Sequence, residues 1–211
     1  MKAKNSNTDW AQKYRPTCLE EMVLPMAWKQ ALIQQRDQSE GLSLLLHGPA
    51  GSGKTTAGML INPSHTHKIN CSVQNGIEMV RNLVEMTNRN YLFGGMRVVL
   101  LDEADYLTKE AQAGLRATME DNSSENMYVF TANHINNLIQ PLQSRLMALD
   151  FSQIAGDINL RDEMVARATH VLQQEKIEAT PSQISAVVRE HFPDMRQVLK
   201  KLQFQFGLMA A

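Results

Sequence analysis

Gly48-Pro49-Ala50-Gly51-Ser52-Gly53-Lys54-Thr55-Thr56 is the stretch that decides the fold. Gly48 and Gly53 bracket four residues and are followed by Lys and Thr, which satisfies the phosphate-loop pattern. Immediately upstream, Leu42 to Leu46 is a nearly continuous apolar run, the composition of a parallel strand buried on both faces. Downstream, Thr-Thr-Ala-Gly-Met-Leu-Ile suits a helix. A chain that leaves a strand, curls through glycines and enters a helix turns its backbone N–H groups inward and adds the positive end of the helix. Such a turn cradles phosphate. Lys54 is placed to reach the β- and γ-phosphates of a nucleotide, and the Thr55 hydroxyl to ligate Mg2+.

The 211 residues are enough for one large domain and a small one. A formal charge of −1, with 20% charged and 43% apolar residues, describes a soluble globular chain without a global basic signal, so any DNA contact must come from a local patch. Cys18 and Cys71 are too few for a cysteine-rich zinc module and are expected to be free, buried thiols in a reducing compartment. Met-Lys-Ala-Lys-Asn-Ser-Asn-Thr at the start lacks an apolar signal core, and no run approaches the length of a membrane helix, so the expectation is a cytoplasmic protein with no membrane partner.

Working outward, a polar stretch over Met1 to Asp9 leads through Trp10 to Pro16 to a helical pattern at Ala27 to Arg36. After the loop helix, Asn62-Pro63-Ser64 is a break and Lys68 to Cys71 fits a short strand. Ile77, Val80 and Val84 give the next helix an apolar face. Tyr91 to Met96, with Gly94-Gly95, reads as a loop before the buried strand Val98 to Leu101. Thr108 is a plausible cap for a helix to about Asp121, broken by Asn122-Ser123-Ser124. Met127 to Ala132 is a further strand, Pro141 lies in a turn-rich connection, and Leu149 to Phe151 reads as a short strand. Alternating strands and helices predict an α/β parallel sheet flanked by helices over residues 1–155. From Ala155-Gly156-Asp157 onward the pattern is helical only. Asn159 to Glu175, Pro181 to His191 and Asp194 to Phe206 predict a small three-helix domain over residues 156–211.

The chemistry gathers at a second motif. The strand Val98 to Leu101 delivers Asp102 at its carboxyl end, where open α/β sheets bind ligands. There Asp102 can hold Mg2+ through water, and Glu103 beside it can orient and polarise a water for attack on the γ-phosphate. Asp102-Glu103-Ala104-Asp105 also labels a helicase family, but those helicases need two nucleotide-fold domains and this chain has room for one. Asn133, after Tyr-Val-Phe-Thr-Ala, ends the next strand and can hydrogen-bond the attacking water or the γ-phosphate.

These residues together resemble the AAA+ phosphate-loop ATPases, and within them the small ATPase subunits of sliding-clamp loaders, of the replication factor C type and its T-even phage version. Lys13-Tyr14-Arg15-Pro16 matches the Lys-Tyr-Arg-Pro signature of those subunits. Ile69-Asn70-Cys71-Ser72, with Gly76-Ile77 and Val80-Arg81, resembles their Leu-Asn-Ala-Ser-Asp stretch and the Gly-Ile and Val-Arg pairs beyond it. Leu115 to Glu120 resembles their Leu-Arg-Arg-Thr-Met-Glu helix, and Pro141 to Arg145 their segment ending in Ser-Arg-Cys. The resemblance implies ATP and Mg2+ as cofactors, with Tyr14, Arg15 and Pro16 near the adenine and Gly51, Ser52, Gly53, Lys54, Thr55 and Thr56 on the phosphates. It implies Asn133 as a first sensor and Arg196, in Pro-Asp-Met-Arg, as a second. Arg145 would act as an arginine finger on ATP held by a neighbouring subunit, and Asn70 would hold the glutamate inactive until DNA binds. Partners implied are further AAA+ subunits in a homo- or hetero-oligomeric ring, a sliding clamp and primer-template DNA. Ile77, Arg81, Lys109 and Arg116 are the candidates for tracking the DNA backbone.

Three positions depart from the family pattern. Leu146 replaces the Cys after the arginine, Val73 the Asp of the Asn-Ala-Ser-Asp stretch, and Ala117 one Arg of the Leu-Arg-Arg helix. Family members continue into a helical collar, which this chain is expected to lack. Other readings are a branch-migration motor or initiator of the same superfamily, and a scaffold subunit that binds ATP without hydrolysing it.

Overall fold

The computed structural model describes residues 9–36, 42–87, 96–121 and 126–208. The Met1 to Thr8 stretch, the Asn122-Ser123-Ser124 break and the Tyr91 to Gly95 part of the expected loop lie outside them. A single turn α1 (Trp10–Lys13) precedes α2 (Met26–Arg36). Then strands and helices alternate as β1 (Leu44–His47), α3 (Lys54–Ile61), β2 (Thr66–Asn70), α4 (Ile77–Thr87), β3 (Arg97–Asp102) and α5 (Lys109–Asp121). β4 (Asn126–Ala132), α6 (Gln140–Gln143) and β5 (Met147–Asp150) complete this part, followed by α7 (Ile158–Gln174), α8 (Pro181–His191) and α9 (Met195–Leu202).

Among the described residues the strands form one sheet, in the order β2-β3-β4-β1-β5, parallel at every pairing. Its side chains alternate between two cores, as the two-residue repeat of a strand requires. Leu45, Val99, Leu101, Tyr128 and Phe130 face the layer of α4 and α5, while Leu44, Leu46, Val98, Leu100, Met127 and Val129 face α2 and α3. Every residue of β3 and β4 is buried, which is why both read as apolar runs.

α7, α8 and α9 pack on one another around Met164, Val171, Ile184, Val188, Val198 and Leu202, and Trp10 of α1 inserts into the same cluster. The helix starts follow local chemistry. Thr180 and Gln183 form a reciprocal capping box with Pro181 in the first turn of α8, and the Asp194 carboxylate accepts from the Gln197 N–H at 3.0 Å to start α9. Thr108 caps α5 as expected, its hydroxyl accepting from Ala111 N at 3.2 Å.

Several boundaries differ from expectation. β1 begins at Leu44 because the parallel ladders to Val129 and Met147 begin there, which leaves Leu42 57% exposed. β5 begins at Met147 for the same reason, and Phe151 turns under the sheet onto Trp28, ring centroids 5.3 Å apart. β2 runs from Thr66, in register with Val98, so it starts earlier than the apolar pattern suggested. Pro141 sits in the first turn of the one-turn helix α6. After Leu202 the chain winds on as a π-helix over Gln203–Leu208. Cys71 is buried, and burial pushes its thiol up to about 12, whereas Cys18 is half-exposed, contrary to the expected pair of buried thiols.

Candidate functional site

The parallel sheet brings the carboxyl ends of β1, β3 and β4 together, and the site is built there. From His47 the chain continues one more ladder bond, Gly48 N–H to the Ala132 carbonyl at 3.2 Å, before curling. Gly51 and Gly53 take φ of +75° and +99°, a region in which side chains are strained, and Gly53 is the N-cap of α3. Ser52 Oγ donates to the Pro49 carbonyl at 2.8 Å and closes the loop. Lys54 Nζ donates to the Gly48 and Pro49 carbonyls at 2.8 and 2.7 Å, so the ammonium lies inside the cradle. Burial is the largest influence on Lys54 and draws its pKa down, opposed by the charges of Asp105 and Asp102.

Asp102 is the node of the polar network. Its Oδ1 accepts from Thr55 Oγ1 at 2.6 Å and from Thr131 Oγ1 at 2.7 Å, and its Oδ2 lies 2.8 Å from Lys68 Nζ. Burial alone would raise its pKa, but the donors on Lys68, Thr55 and Thr131 together outweigh burial and hold the carboxyl below its ordinary value. Thr131 Oγ1 also accepts the backbone N–H of Glu103 at 2.9 Å. Glu103 has φ 58° and ψ 45°, a left-handed conformation that is uncommon outside glycine and turns the chain sharply off the end of β3. Beside it, Asp105 Oδ2 accepts from the N–H groups of Asn133 and His134 at 3.3 and 3.1 Å, which fastens the end of β4 to the turn after β3. Asp105 Oδ1 is buried without a hydrogen-bond partner.

Two outlying segments close on the loop. Arg15 Nε donates to Thr56 Oγ1 at 3.1 Å, while Lys13 Nζ and Tyr14 Oη both reach Glu175 Oε1 at 2.7 Å. Half-buried Pro16 continues this arm, which Arg167 of α7 grips through the carbonyls of Tyr14 and Glu21. The N-cap of α9 lies directly on the cradle: a Cβ placed on Gly51 would stand 2.0 Å from Asp194 Cγ. Arg196, two residues on, is exposed, and its charge is felt at Lys54. Thus Arg15, the loop from Gly51 to Thr56, Asp102 and the backbones of Glu103 and Asn133 come together at this end of the sheet, with the start of α9 and Arg196 beside them.

Arg145 does not join them. It precedes β5, whose Met147 pairs with Leu44, so it lies at the amino ends of the strands, with the four-residue length of β1 between it and the loop. At roughly 3.3 Å per residue that is about 13 Å of strand. Here it pairs with Glu120 and donates to the Pro141 carbonyl at 2.8 Å. Asn70 stands beside Asp102 in register, but its Oδ1 accepts from Ser72 N and Oγ at 2.9 and 2.7 Å, a local turn with no bond to Glu103. Ile77 and Arg81 lie on α4, Lys109 and Arg116 on the adjoining α5. Ile77 is 37% exposed, and Arg81 pairs with Glu78.

Two participants were given no role by the sequence, Lys68 and Thr131, and Asp105, though it ends the acidic motif, was given none either. Thr131 was detectable in principle, since Leu101 pairs with Phe130 and the next pair in a parallel ladder is Asp102 with Thr131. Lys68 carried no signal beyond its place two residues before Asn70, on the same side of an edge strand. The donors at the centre are hard oxygens, the Thr55 hydroxyl and the Asp102 carboxylate. Among the described residues no three His, Cys, Asp or Glu converge as an all-protein metal cage. This fits Mg2+, which is held by one or two protein oxygens together with nucleotide phosphates and water.

Residues 44–153 match the family described as ATPase family associated with various cellular activities (AAA). The chain is 34% identical to the replication factor C small subunit of Halobacterium salinarum, over 92% of this chain and 62% of that protein. It is 31% identical to replication factor C subunit 5 of Arabidopsis thaliana, over 93% of this chain and 55% of the relative. It therefore spans about three fifths of the length of these relatives. The solved structure of the Thermotoga maritima RuvB Holliday junction branch migration motor superposes with a TM-score of 0.70 at 19% identity, covering 90% of this chain and 64% of that one, which is a likeness of fold. With the family match spanning more than half of the residues, and a phosphate loop set against an acid pair at the ends of parallel strands, the chain belongs to the AAA ATPases.

Proposed function

We propose that the chain is an ATPase subunit of a sliding-clamp loader, coupling ATP binding and DNA-stimulated hydrolysis to the placing of a ring clamp on primer-template DNA. The observation that carries this is the split of the machinery across the sheet. Lys54, Thr55, Asp102, Glu103 and Asn133 gather at one end, while Arg145 stands at the other, too far to serve the same nucleotide. Such a chain completes its site only when a neighbour brings its own arginine. Likeness to replication factor C small subunits over nine tenths of the chain supports the clamp-loading assignment over a branch-migration motor, for which the likeness is one of fold.

In this reading residues 1–155 bind nucleotide and residues 156–211 act as a lid, closed by Asp194 on Gly51 and by Glu175 on the Lys13-Tyr14 arm. The loop N–H groups and Lys54 hold the phosphates, with Mg2+ supplied by the nucleotide, screening their charge and held through Thr55 and Asp102. Glu103, turned off the strand by its left-handed backbone, accepts a proton from the attacking water, and Asn133 orients that water. Arg145 stabilises the charge of the transferring phosphoryl group from the next subunit, an effect worth roughly 10³ to 10⁵ in rate. The α4 and α5 candidates are neighbours, their amino ends joined by Thr108 N–H to the Asn75 carbonyl at 3.0 Å, which supports a shared surface for DNA phosphates.

Clamp and primed DNA added to the assembled complex should raise ATP turnover, and Glu103→Gln should abolish it while leaving nucleotide binding intact. Turnover that ignores clamp and DNA, or survives Glu103→Gln, would sink the assignment. Measurable binding with no Arg145-dependent hydrolysis would favour an ATP-binding scaffold instead.

A further inference from the structure

Lys68 belongs to none of the motifs that announce the site, yet it makes the shortest approach of any cationic side chain to the acid at the centre. Asp102 is buried, its side chain 8% exposed, and a carboxylate so placed needs positive charge at hand. Both its oxygens accept donors. Oδ1 takes the hydroxyls of Thr55 and Thr131, and Oδ2 takes the Lys68 ammonium at 2.8 Å.

A hydrated Mg2+ held through Thr55 and phosphate would bring its charge to the same carboxylate that already carries the Lys68 ammonium. That would place two positive groups against one carboxylate. Lys68 is the partner able to yield. β2 is an edge strand of the sheet, and the Lys68 side chain is 36% exposed, so its flexible stem has solvent beside it. Thr131, 2% exposed and tied to Glu103 N, has no such exit.

We propose that Lys68 is a tethered counter-cation, which holds Asp102 in place when no nucleotide is bound and is displaced from Oδ2 when nucleotide brings Mg2+. Metal entry is then coupled to opening of the Lys68–Asp102 pair. The inference rests on the reading of this loop as a Mg2+-nucleotide site. It assigns Lys68 a positioning role, opposed to metal, in place of a contact with phosphate.

The test compares the full chain with Lys68→Met and Lys68→Gln, using a fluorescent ADP analogue titrated with Mg2+ and repeated in EDTA, together with melting of the free and ADP·Mg2+-bound proteins. Removing the cation should lower the Mg2+ concentration at half-saturation by roughly two- to fivefold, the scale of one half-exposed ion pair. Affinity in EDTA should be unchanged. The melting temperature of the free protein should fall while that of the bound protein holds, since the pair is open there. Gln keeps a neutral donor to Oδ2 and gives the same reading if Met does not fold. An unchanged or raised Mg2+ requirement overturns the proposal, as does weaker binding in EDTA, which would make Lys68 a phosphate ligand. If the unsubstituted chain binds no nucleotide at any Mg2+ concentration, the loop assignment itself falls.

Discussion

Thr131→Val removes one hydroxyl from the middle of the site and leaves the shape nearly unchanged. That hydroxyl donates to Asp102 Oδ1 at 2.7 Å and accepts from Glu103 N at 2.9 Å, in a residue 2% exposed. The first bond is to a charged group and is worth about 1.5–3 kcal/mol, and orphaning the Glu103 N–H costs about 1–3 kcal/mol more. A destabilisation of about 3 kcal/mol in urea unfolding near neutral pH is therefore expected, with Thr131→Ser, which keeps the hydroxyl, losing much less. The pH dependence has a definite sign. Asp102 titrates below its ordinary 3.8 in the folded chain because its donors outweigh burial, so its contribution is present above that value and lost as pH falls through the folded pKa. Without Thr131 as donor the depression is smaller, and the gap between variant and parent should narrow on acidification. A penalty below about 1 kcal/mol near neutrality would refute the reasoning, given the usual cost of orphaning a buried group. A gap that widened in acid would refute it equally.

Two further substitutions separate the loop from the trans site. Gly51→Ala forces a side chain into φ +75° and onto the Asp194 carboxylate, so it should cost more than the roughly 1–2 kcal/mol of the backbone strain alone and weaken nucleotide binding. Adding Asp194→Ala should recover part of the loss despite the missing cap, and a double-mutant melt showing simple additivity would contradict the contact. Arg145→Ala breaks an exposed pair with Glu120 and an exposed hydrogen bond to the Pro141 carbonyl, so melting of the isolated chain should change by no more than about 1.5 kcal/mol. Turnover of the assembled complex should drop by roughly 10³-fold or more, while that of isolated monomer should not change. An equal loss in monomer would place the arginine in its own site.

Legibility followed burial. β3 and β4 are buried at every position, so Val98 to Leu101 and Met127 to Ala132 appeared as apolar runs almost to the residue. β2 and β5 are edge strands with exposed positions, and their limits are set by pairing with Val98 and Leu44, which composition does not encode. The loop, Asp102 and Glu103 were readable because their spacing from strand ends is fixed by chemistry. Lys68 was not, because its ion pair depends on which strand lies beside β3 and in what register. Asn70 shows the reverse case, a position singled out by likeness whose side chain is turned onto Ser72 by local hydrogen bonds.

Trp10 carries a consequence for synthesis. Its ring fills the core built by α7, α8 and α9, and its backbone N–H donates to Gln203 Oε1 at 3.0 Å, across 193 residues of chain. At roughly 5–20 residues per second, a ribosome needs about 10–40 s to make the partners of a tryptophan it has already released. For that interval an indole destined for burial waits for the helices that bury it.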